Sequence, residues 1–309
     1  MNRKVVAMTA AIVASSALGA YAVIGAQILN GSFEADPRNP FPSAVTNWTL
    51  GGFRCVGVEN MTSYYGTTPP DGTKILTYNN GQRPSGSSIS QDLTTEAGKT
   101  YDLKFYFGNF GYGLSTQIMN ISVDDVANNN QNLASQYFVD STASDPRYDP
   151  LALTLWNDIT VRFQASSTVT RIRLSDNGSD TNATDLLLDQ VRIEEVDTTP
   201  PTIEAVADKT TLWPPNGKNH TVQITGSTDD SGSGVVSASW VLSDSYGQVS
   251  GSGALPAGGA FSFSVNLPAS RRGQDKDGRV YTITITAMDS EGNVGTRTVQ
   301  ATVPHDRGN

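Results

Sequence analysis

Tyrosine residues close to polar residues form the pattern in this sequence with the clearest chemical use. A sugar ring has apolar C–H faces that pack against flat aromatic rings. Polar side chains must then pair with the sugar hydroxyls, because each unpaired buried hydroxyl costs free energy. The candidate residues for such a glycan-binding surface are Tyr64, Tyr65, Arg83, Tyr106 and Tyr112. For each tyrosine, ordinary packing against neighbouring side chains is the alternative interpretation.

Tyr106 is the candidate whose orientation the sequence predicts. The segment Tyr101–Phe107 alternates between the two faces of a β-strand, since successive strand residues point to opposite sides. Leu103, Phe105 and Phe107 are therefore predicted to face a core together with the first tyrosine of the segment. Tyr106 then lies on the opposite face, where a loop covers it or a ligand can reach it.

The acidic and histidine residues do not form a catalytic pattern. The paired acids Asp124–Asp125 and Asp229–Asp230 are adjacent along the chain. Adjacent strand residues point to opposite faces, whereas a glycosidase needs two carboxyl groups facing each other at roughly 5–10 Å. The chain has only 2 histidines and no Gly-x-Ser-x-Gly motif, which disfavours Ser-His-Asp chemistry. We therefore expect a protein that is not an enzyme.

Charge and cysteine content exclude further classes of function. The chain has 30 acidic and 21 basic residues and a net charge of −9. Nucleic acid is not an expected partner, because binding to it requires clustered Lys and Arg residues. A single cysteine, Cys55, permits neither an intrachain disulfide nor a cysteine-rich metal site.

Residues 1–26 are predicted to be a signal peptide. Arg3 and Lys4 precede an apolar run, and Ala20-Tyr-Ala22 is typical of a cleavage site, with cleavage after Ala26 as the second choice. The apolar run is shorter than the ~20 residues that a membrane-spanning helix needs. We expect a secreted, extracellular protein with no membrane span after cleavage.

The remaining sequence predicts an all-β fold. Segments such as Ile159–Phe163, Val280–Ala287 and Thr296–Val303 have the two-residue period of half-buried strands. The paired prolines of Asp197–Pro201 predict an extended linker, because proline cannot occupy a central strand. The expected organisation is a unit over 27–196, a linker over 197–201, a unit over 202–304 and a tail over 305–309.

Four segments of the first unit carry a family resemblance: Ile28–Glu34, Gly86–Phe105, Trp156–Phe163 and Leu187–Ile193. They resemble the opening strand, central hairpin and closing strands of galactose-binding-like jelly rolls, a class that includes many carbohydrate-binding modules. The resemblance is greatest to the DUF642 and choice-of-anchor secreted proteins. It implies an N-terminal jelly-roll β-sandwich and favours a glycan ligand.

The second unit has a resemblance of its own. Leu212–Asn216, Ala287–Asn293 and Val303–Asp306 are similar to segments of bacterial Ig-like or fibronectin-type modules appended to secreted proteins. The resemblance implies a C-terminal Ig-like β-sandwich. Such a module acts as a spacer or offers a surface to protein partners.

The jelly-roll resemblance also implies a structural calcium ion. In this fold the first and last strands commonly lie side by side, which would bring Asn30 and Glu34 close to Asp189. Oxygen ligands of this kind suit Ca²⁺. Two solvated carboxylates at a sheet edge are the alternative. In the second unit, Asp229, Asp230, Asp289 and Asn293 are interpreted as turn residues, with a second calcium site as the alternative.

The sequence as a whole predicts a secreted, non-catalytic protein that binds a polysaccharide or glycan at the cell surface or in the extracellular space. The alternative is a structural or adhesin-type extracellular protein that binds protein partners and has no affinity for sugars.

Overall fold

A computed structural model describes residues 26–60, 68–79, 83–111, 116–141, 156–179 and 184–306. The described residues form strands, turns and loops and contain no helix, so the predicted all-β class is confirmed. Within these ranges there is accordingly no helix of the length and hydropathy that crossing a membrane requires. Nearly all of the predicted signal peptide lies outside the described residues.

The chain folds as two compact units. The first contains all or part of ten strands: β1 Thr49–Gly52, β2 Val56–Asn60, β3 Lys74–Tyr78, β4 Ser87–Thr94, β5 Thr100–Gly111, β6 Gln117–Asp125, β7 Gln131–Asp140, β8 Trp156–Gln164, β9 Val169–Asp176 and β10 Thr184–Val196. Residues 100–104 of β5, 160–164 of β8 and 194–196 of β10 belong to the second unit. They form two five-stranded sheets, with the order β1-β4-β9-β6-β7 in sheet 1 and β2-β3-β10-β5-β8 in sheet 2. The strands of sheet 1 are all antiparallel to their neighbours.

Apolar side chains from both sheets form the core of this β-sandwich. Phe105 of sheet 2 meets Phe138 of sheet 1 edge-on, with 6.4 Å between ring centroids. The hydroxyl of Tyr78 in sheet 2 donates a hydrogen bond of 3.0 Å to the carbonyl of Leu174 in sheet 1. The predicted alternation in β5 is confirmed, because Tyr101 and the three apolar residues that share its face are buried.

The second unit contains seven strands: β11 Thr202–Ala207, β12 Asn219–Asp229, β13 Val235–Asp244, β14 Gly251–Leu255, β15 Gly259–Pro268, β16 Arg279–Asp289 and β17 Val294–Val303. They form a three-stranded sheet in the order β11-β12-β15 and a four-stranded sheet in the order β14-β13-β16-β17. Tyr281, Ile283 and Leu267 lie in its core. The predicted linker over 197–201 lies between the end of β10 and the start of β11. Independent folding of the two units, and an Ig-like identity for the second, stay predictions.

Candidate functional site

The side of sheet 1 that points away from the core carries polar side chains on all of its strands. Alternation directs apolar residues such as Ile89, Ile172 and Ile121 inward, where they are almost completely buried. Their neighbours along β4, β9 and β6 therefore point outward. We call this outward side the polar face. Its five strands, spaced by about 4.8 Å, span about 19 Å.

The strand register aligns the polar face into rows that run across the sheet. The first row consists of Gly51, Ser88, Ser175, Asn120 and Tyr137. Tyr137 ends this row on the edge strand β7, and 70% of its surface is exposed. This row thus combines small hydroxyl groups, one amide and one exposed aromatic ring.

The second row has a basic residue at its centre. It consists of Thr49, Ser90, Arg173, Ser122 and Ser135. The guanidinium of Arg173 therefore lies among hydroxyl groups on both sides. Its side chain is exposed.

The third row is an ion-pair row. Arg171 lies opposite Asp92 on one side and Asp124 on the other. Its Nε and Nη2 donate hydrogen bonds of 2.6 and 2.7 Å to the two carboxylate oxygens of Asp92. The hydrogen bonds to Asp92 raise the pKa of the Arg171 guanidinium. Asp124 accepts hydrogen bonds from Ser122 at 2.7 Å and from Asn132 at 2.9 Å.

Two adjoining depressions lie on the polar face. The larger, which we call the sheet 1 groove, has a volume of about 830 Å³. It is lined by Gln27, Leu29, Asn47, Thr49, Gly51, Gly52, Ser88, Ser90, Gln91, Asp92, Leu93, Thr94, Arg171 and Arg173. The smaller, of about 410 Å³, is lined by Asn120, Ile121, Ser122, Ser135, Gln136, Tyr137, Arg173 and Ser175. Arg173 belongs to both, and both volumes fall in the range of roughly 300–1,000 Å³ that is usual for ligand sites.

Several polar groups on this face have no side-chain partner among the residues that the structure describes. They are the hydroxyls of Ser90 and Ser175, the amide of Asn120, the phenol of Tyr137 and the guanidinium of Arg173. The acids on the same face are engaged by Arg171, Ser122 and Asn132. The polar face therefore offers several unused donors and acceptors next to an aromatic ring, which is the combination that a sugar requires.

The residues predicted to bind a glycan lie elsewhere or outside the description. Tyr64, Tyr65 and Tyr112 are outside the described residues. Tyr106 is half-buried on the outward side of sheet 2, and the guanidinium of Arg192 lies 5.8 Å from its ring centroid. This surface stays a prediction.

Arg83, the predicted polar partner, holds backbone segments together. Its Nη2 donates hydrogen bonds to the carbonyl oxygens of Val56 at 3.0 Å and Pro40 at 3.3 Å. The guanidinium also lies 4.5 Å from the ring centroid of Phe41. These contacts give Arg83 a structural role in addition to any contact with a ligand.

Two of the three predicted calcium ligands are electrostatically coupled. Asp189 is fully buried, and its two oxygens accept hydrogen bonds from the backbone amides of Asp71 at 3.0 Å and Gln190 at 2.7 Å. Burial, together with the charges of Asp71 and Glu34, raises the pKa of Asp189 to about 7. A cation would relieve this repulsion, so these carboxylates fit calcium in ligand type and charge.

The same residues already have partners within the protein. Burial raises the pKa of Glu34, but hydrogen bonds from the amides of Thr73 and Lys74, both at 2.6 Å, outweigh it and lower the pKa. The side chain of Asn30, in contrast, donates to Asp36 at 2.8 Å. The side chain of Asn30 is therefore used in a hydrogen bond within its own loop. A calcium ion bound by Asn30, Glu34 and Asp189 stays a prediction.

A tighter acidic group lies in the second unit. Within the described ranges, Asp197, Asp230 and Asp289 are the three acidic residues whose ligand atoms all lie within 4.8 Å of one another. Hydrogen bonds from the amide of Thr199 and from Ser233 lower the pKa of Asp197 to about 2. Backbone amides donate hydrogen bonds to all three carboxylates: Thr199 and Ser233 to Asp197, Gly232 and Gly234 to Asp230, and Asn293 to Asp289. The group has the ligand type that Ca²⁺ prefers.

A buried acid lies at the end of β9. Asp176 is 1% exposed, and its Oδ1 accepts a hydrogen bond of 2.9 Å from the amide of Gly178. The side chain of the buried Asn79 lies next to this carboxylate, and its own Oδ1 has no partner among the described residues. Burial raises the pKa of Asp176 to about 6.

The sequence reasoning passed over the polar face. Its signal was present in Val169–Leu174, where Arg171 and Arg173 alternate with Ile172 and the flanking apolar residues. Two basic residues on one face of a half-buried strand mark that face as solvent-facing. The pattern does not tell which other strands complete the face.

Comparisons with known proteins place the first unit in a family. The HpiC1-like family model, described as HpiC1 cyclase, matches residues 25–194. No curated protein matches the chain. Neither the DUF642 nor the Ig-like resemblance is tested by these matches, and both stay predictions.

Solved structures with a similar fold have low sequence identity. The enzymatically active domain of tailspike protein 4 from bacteriophage CBA120 is 14% identical with a TM-score of 0.35, covering 55% of this chain but only 21% of its own. A structure titled CBM4 structure and function is 16% identical with a TM-score of 0.34, covering 55% of this chain and 99% of its own. The N-terminal cellulose-binding domain of Cellulomonas fimi β-1,4-glucanase C is 15% identical with a TM-score of 0.28, covering 51% and 100%. Because the family model covers more than half of the 309 residues, the chain belongs to the HpiC1-like family.

Proposed function

We propose that this protein is a secreted, non-catalytic protein that binds a polysaccharide or glycan on the polar face of sheet 1. The observation that carries the proposal is the set of unpartnered polar side chains around the two depressions of the polar face, with Tyr137 among the residues that line the smaller one. The signal-like residues 1–26 support secretion. N-terminal sequencing or mass spectrometry of the exported protein would test cleavage after Ala22 or Ala26.

The chemistry of the polar face suits a sugar chain better than a small apolar ligand. Serine and asparagine side chains supply both donors and acceptors, and each hydrogen bond contributes about 0.5–1.5 kcal/mol net. Tyr137 supplies an apolar surface for a C–H face of a ring. A face about 19 Å across has room for several linked rings.

Binding assays with paired variants test this site. The full chain would be titrated by calorimetry or affinity electrophoresis against soluble polysaccharides, together with Tyr137→Ala and Asn120→Ala. Both variants are expected to weaken binding several-fold. Tyr106→Ala, on sheet 2, is the matched control and is expected to leave binding unchanged. If Tyr106→Ala alone weakened binding, the surface predicted from the sequence would replace the polar face.

A second candidate function is ring closure started by a proton donor, because the family description names a cyclase. Asp176 supports it, since burial raises its pKa to about 6 and such an acid can donate a proton near neutral pH. Binding ranks first because Asp176 is buried and does not line the sheet 1 groove. Open-chain polyenes analysed by chromatography for ring-closed isomers test the candidate, and Asp176→Asn must abolish any such activity.

A further inference from the structure

We propose that the glycan bound on the polar face carries carboxylate groups, and that Arg173 recognises one of them. This inference rests on the proposed function. It concerns the class of ligand, a polysaccharide that contains uronic acids, and the residue that selects it.

The charged residues of the polar face differ in whether they have a partner of opposite charge. Arg171 is neutralised by a two-pronged contact with Asp92, at 2.6 and 2.7 Å. Asp124 is held by Ser122 and Asn132. Asp124 does not line the sheet 1 groove, and no acidic residue of the described chain pairs with Arg173, so among the lining residues its guanidinium is the charge without a partner.

The guanidinium of Arg173 has the shape needed to bind a carboxylate. Its planar set of N–H donors matches the two oxygens of a carboxylate, and such charge-assisted contacts are stronger than neutral hydrogen bonds. Ser90 and Ser122 flank Arg173 in the same row. They can bind hydroxyl groups of the ring that carries the carboxylate.

Arg173 and Tyr137 lie close enough to contact the same glycan chain. Arg173 on β9 and Tyr137 on β7 are separated by two strand spacings, roughly 10 Å, and lie in neighbouring rows. Both side chains nevertheless line the smaller depression, so a glycan that packs a ring on Tyr137 can place a carboxylate at Arg173.

The net charge of the chain is −9, so the protein as a whole does not attract an acidic glycan. A protein with this net charge repels polyanions in general. Attraction to an acidic glycan must therefore come from local pairing and not from a diffuse positive field.

The test compares each acidic polymer with its own uncharged form. Polygalacturonate, alginate and hyaluronate would be titrated against the full chain, beside the same polymers after reduction of their carboxyl groups. At least one polyuronate should bind tenfold or more tightly than its reduced form. Arg173→Gln should remove that difference and leave binding of the reduced polymer unchanged, while Arg173→Lys should retain part of it.

Arg297→Gln is the matched control. Arg297 is an exposed residue of β17 with no side-chain partner among the described residues, and its loss changes the net charge equally. It should not alter binding. A similar loss in Arg297→Gln and Arg173→Gln would show a general charge effect and overturn the inference.

The remaining outcomes separate the inference from the proposed function. If the reduced polymers bind as well as the acidic ones, and Tyr137→Ala still weakens binding, the polar face binds glycans and the carboxylate preference is wrong. If no polymer of either form binds, both the proposed function and this inference fail.

Discussion

Two neighbouring residues of β7 should separate binding from stability. Tyr137 and Phe138 are adjacent and therefore point to opposite faces of sheet 1. Tyr137 is 70% exposed, so Tyr137→Ala should change the free energy of unfolding by no more than about 0.5 kcal/mol. Stacking of a ring on Tyr137 contributes on the order of 1 kcal/mol, so the same variant should weaken glycan binding about fivefold.

Phe138→Ala should have the opposite profile. Phe138 is half-buried and packs edge-on against Phe105, with 6.4 Å between ring centroids. Complete removal of a buried phenylalanine costs about 3–5 kcal/mol, so a half-buried one should cost about 2 kcal/mol. Binding by the folded fraction should stay unchanged.

Urea denaturation followed by intrinsic fluorescence measures the free energy of unfolding, and calorimetric titration measures the affinity for the glycan. Both variants are compared with the unaltered chain at the same temperature and salt concentration. A loss of more than about 2 kcal/mol in Tyr137→Ala would place Tyr137 in the core and refute the assignment of faces. Weaker binding in a stable Phe138→Ala protein would refute it as well.

Three further predictions concern calcium, pH and the linker. If calcium binds beside Glu34 and Asp189, a chelator should lower the melting temperature, since ligand at a hundredfold excess over Kd contributes about 2.7 kcal/mol, and Glu34→Ala should remove this effect. Because the folded-state pKa of Asp189 is raised to about 7, the calcium-free protein should lose stability as pH rises from about 4 to 7, by roughly 1 kcal/mol per pH unit, whereas Asp189→Asn should flatten this slope. Stability that rose over this range, by the same denaturation assay, would contradict the burial of an acid. Limited proteolysis should cut within 197–201 and release two folded fragments, and a chain that resists cleavage there would argue against independent units.

The local pattern of strands is what the sequence predicts best. Alternation in β5 assigned Leu103, Phe105 and Phe107 to the core, and the structure confirms it. This success has a local cause, because the direction of a strand side chain depends on its neighbours in sequence. The same reasoning placed Tyr106 on the outward side of its strand, where it is half-buried.

The order of the strands within each sheet could not be predicted from the sequence. The polar face combines Thr49, Ser90, Arg173, Ser122 and Ser135, which come from five strands spread across most of the first unit. Each is an ordinary exposed residue in its own segment. Only the strand order of sheet 1 brings them into one row, and that order is set by packing between distant segments.

The hydrogen-bond partners of loop side chains could not be predicted from the sequence either. Arg83 donates to the backbone carbonyls of Val56 and Pro40, and Asn30 to the carboxylate of Asp36. Both residues have side chains suited to a ligand or a metal ion. Which partner such a side chain takes depends on the path of the surrounding loop, and residue type does not specify that path.

The ion pair between Asp92 and Arg171 also bears on how this surface can change during evolution. Replacement of Asp92 by asparagine would remove the two-pronged partner of Arg171 and make the polar face more positive by one charge, while leaving the apolar side of β4 untouched. A single nucleotide change converts an aspartate codon into an asparagine codon, so a stronger preference for anions lies one mutational step away. Because these side chains project from the side of the sheet opposite the core, ligand preference can diverge among descendants of this protein with little effect on folding.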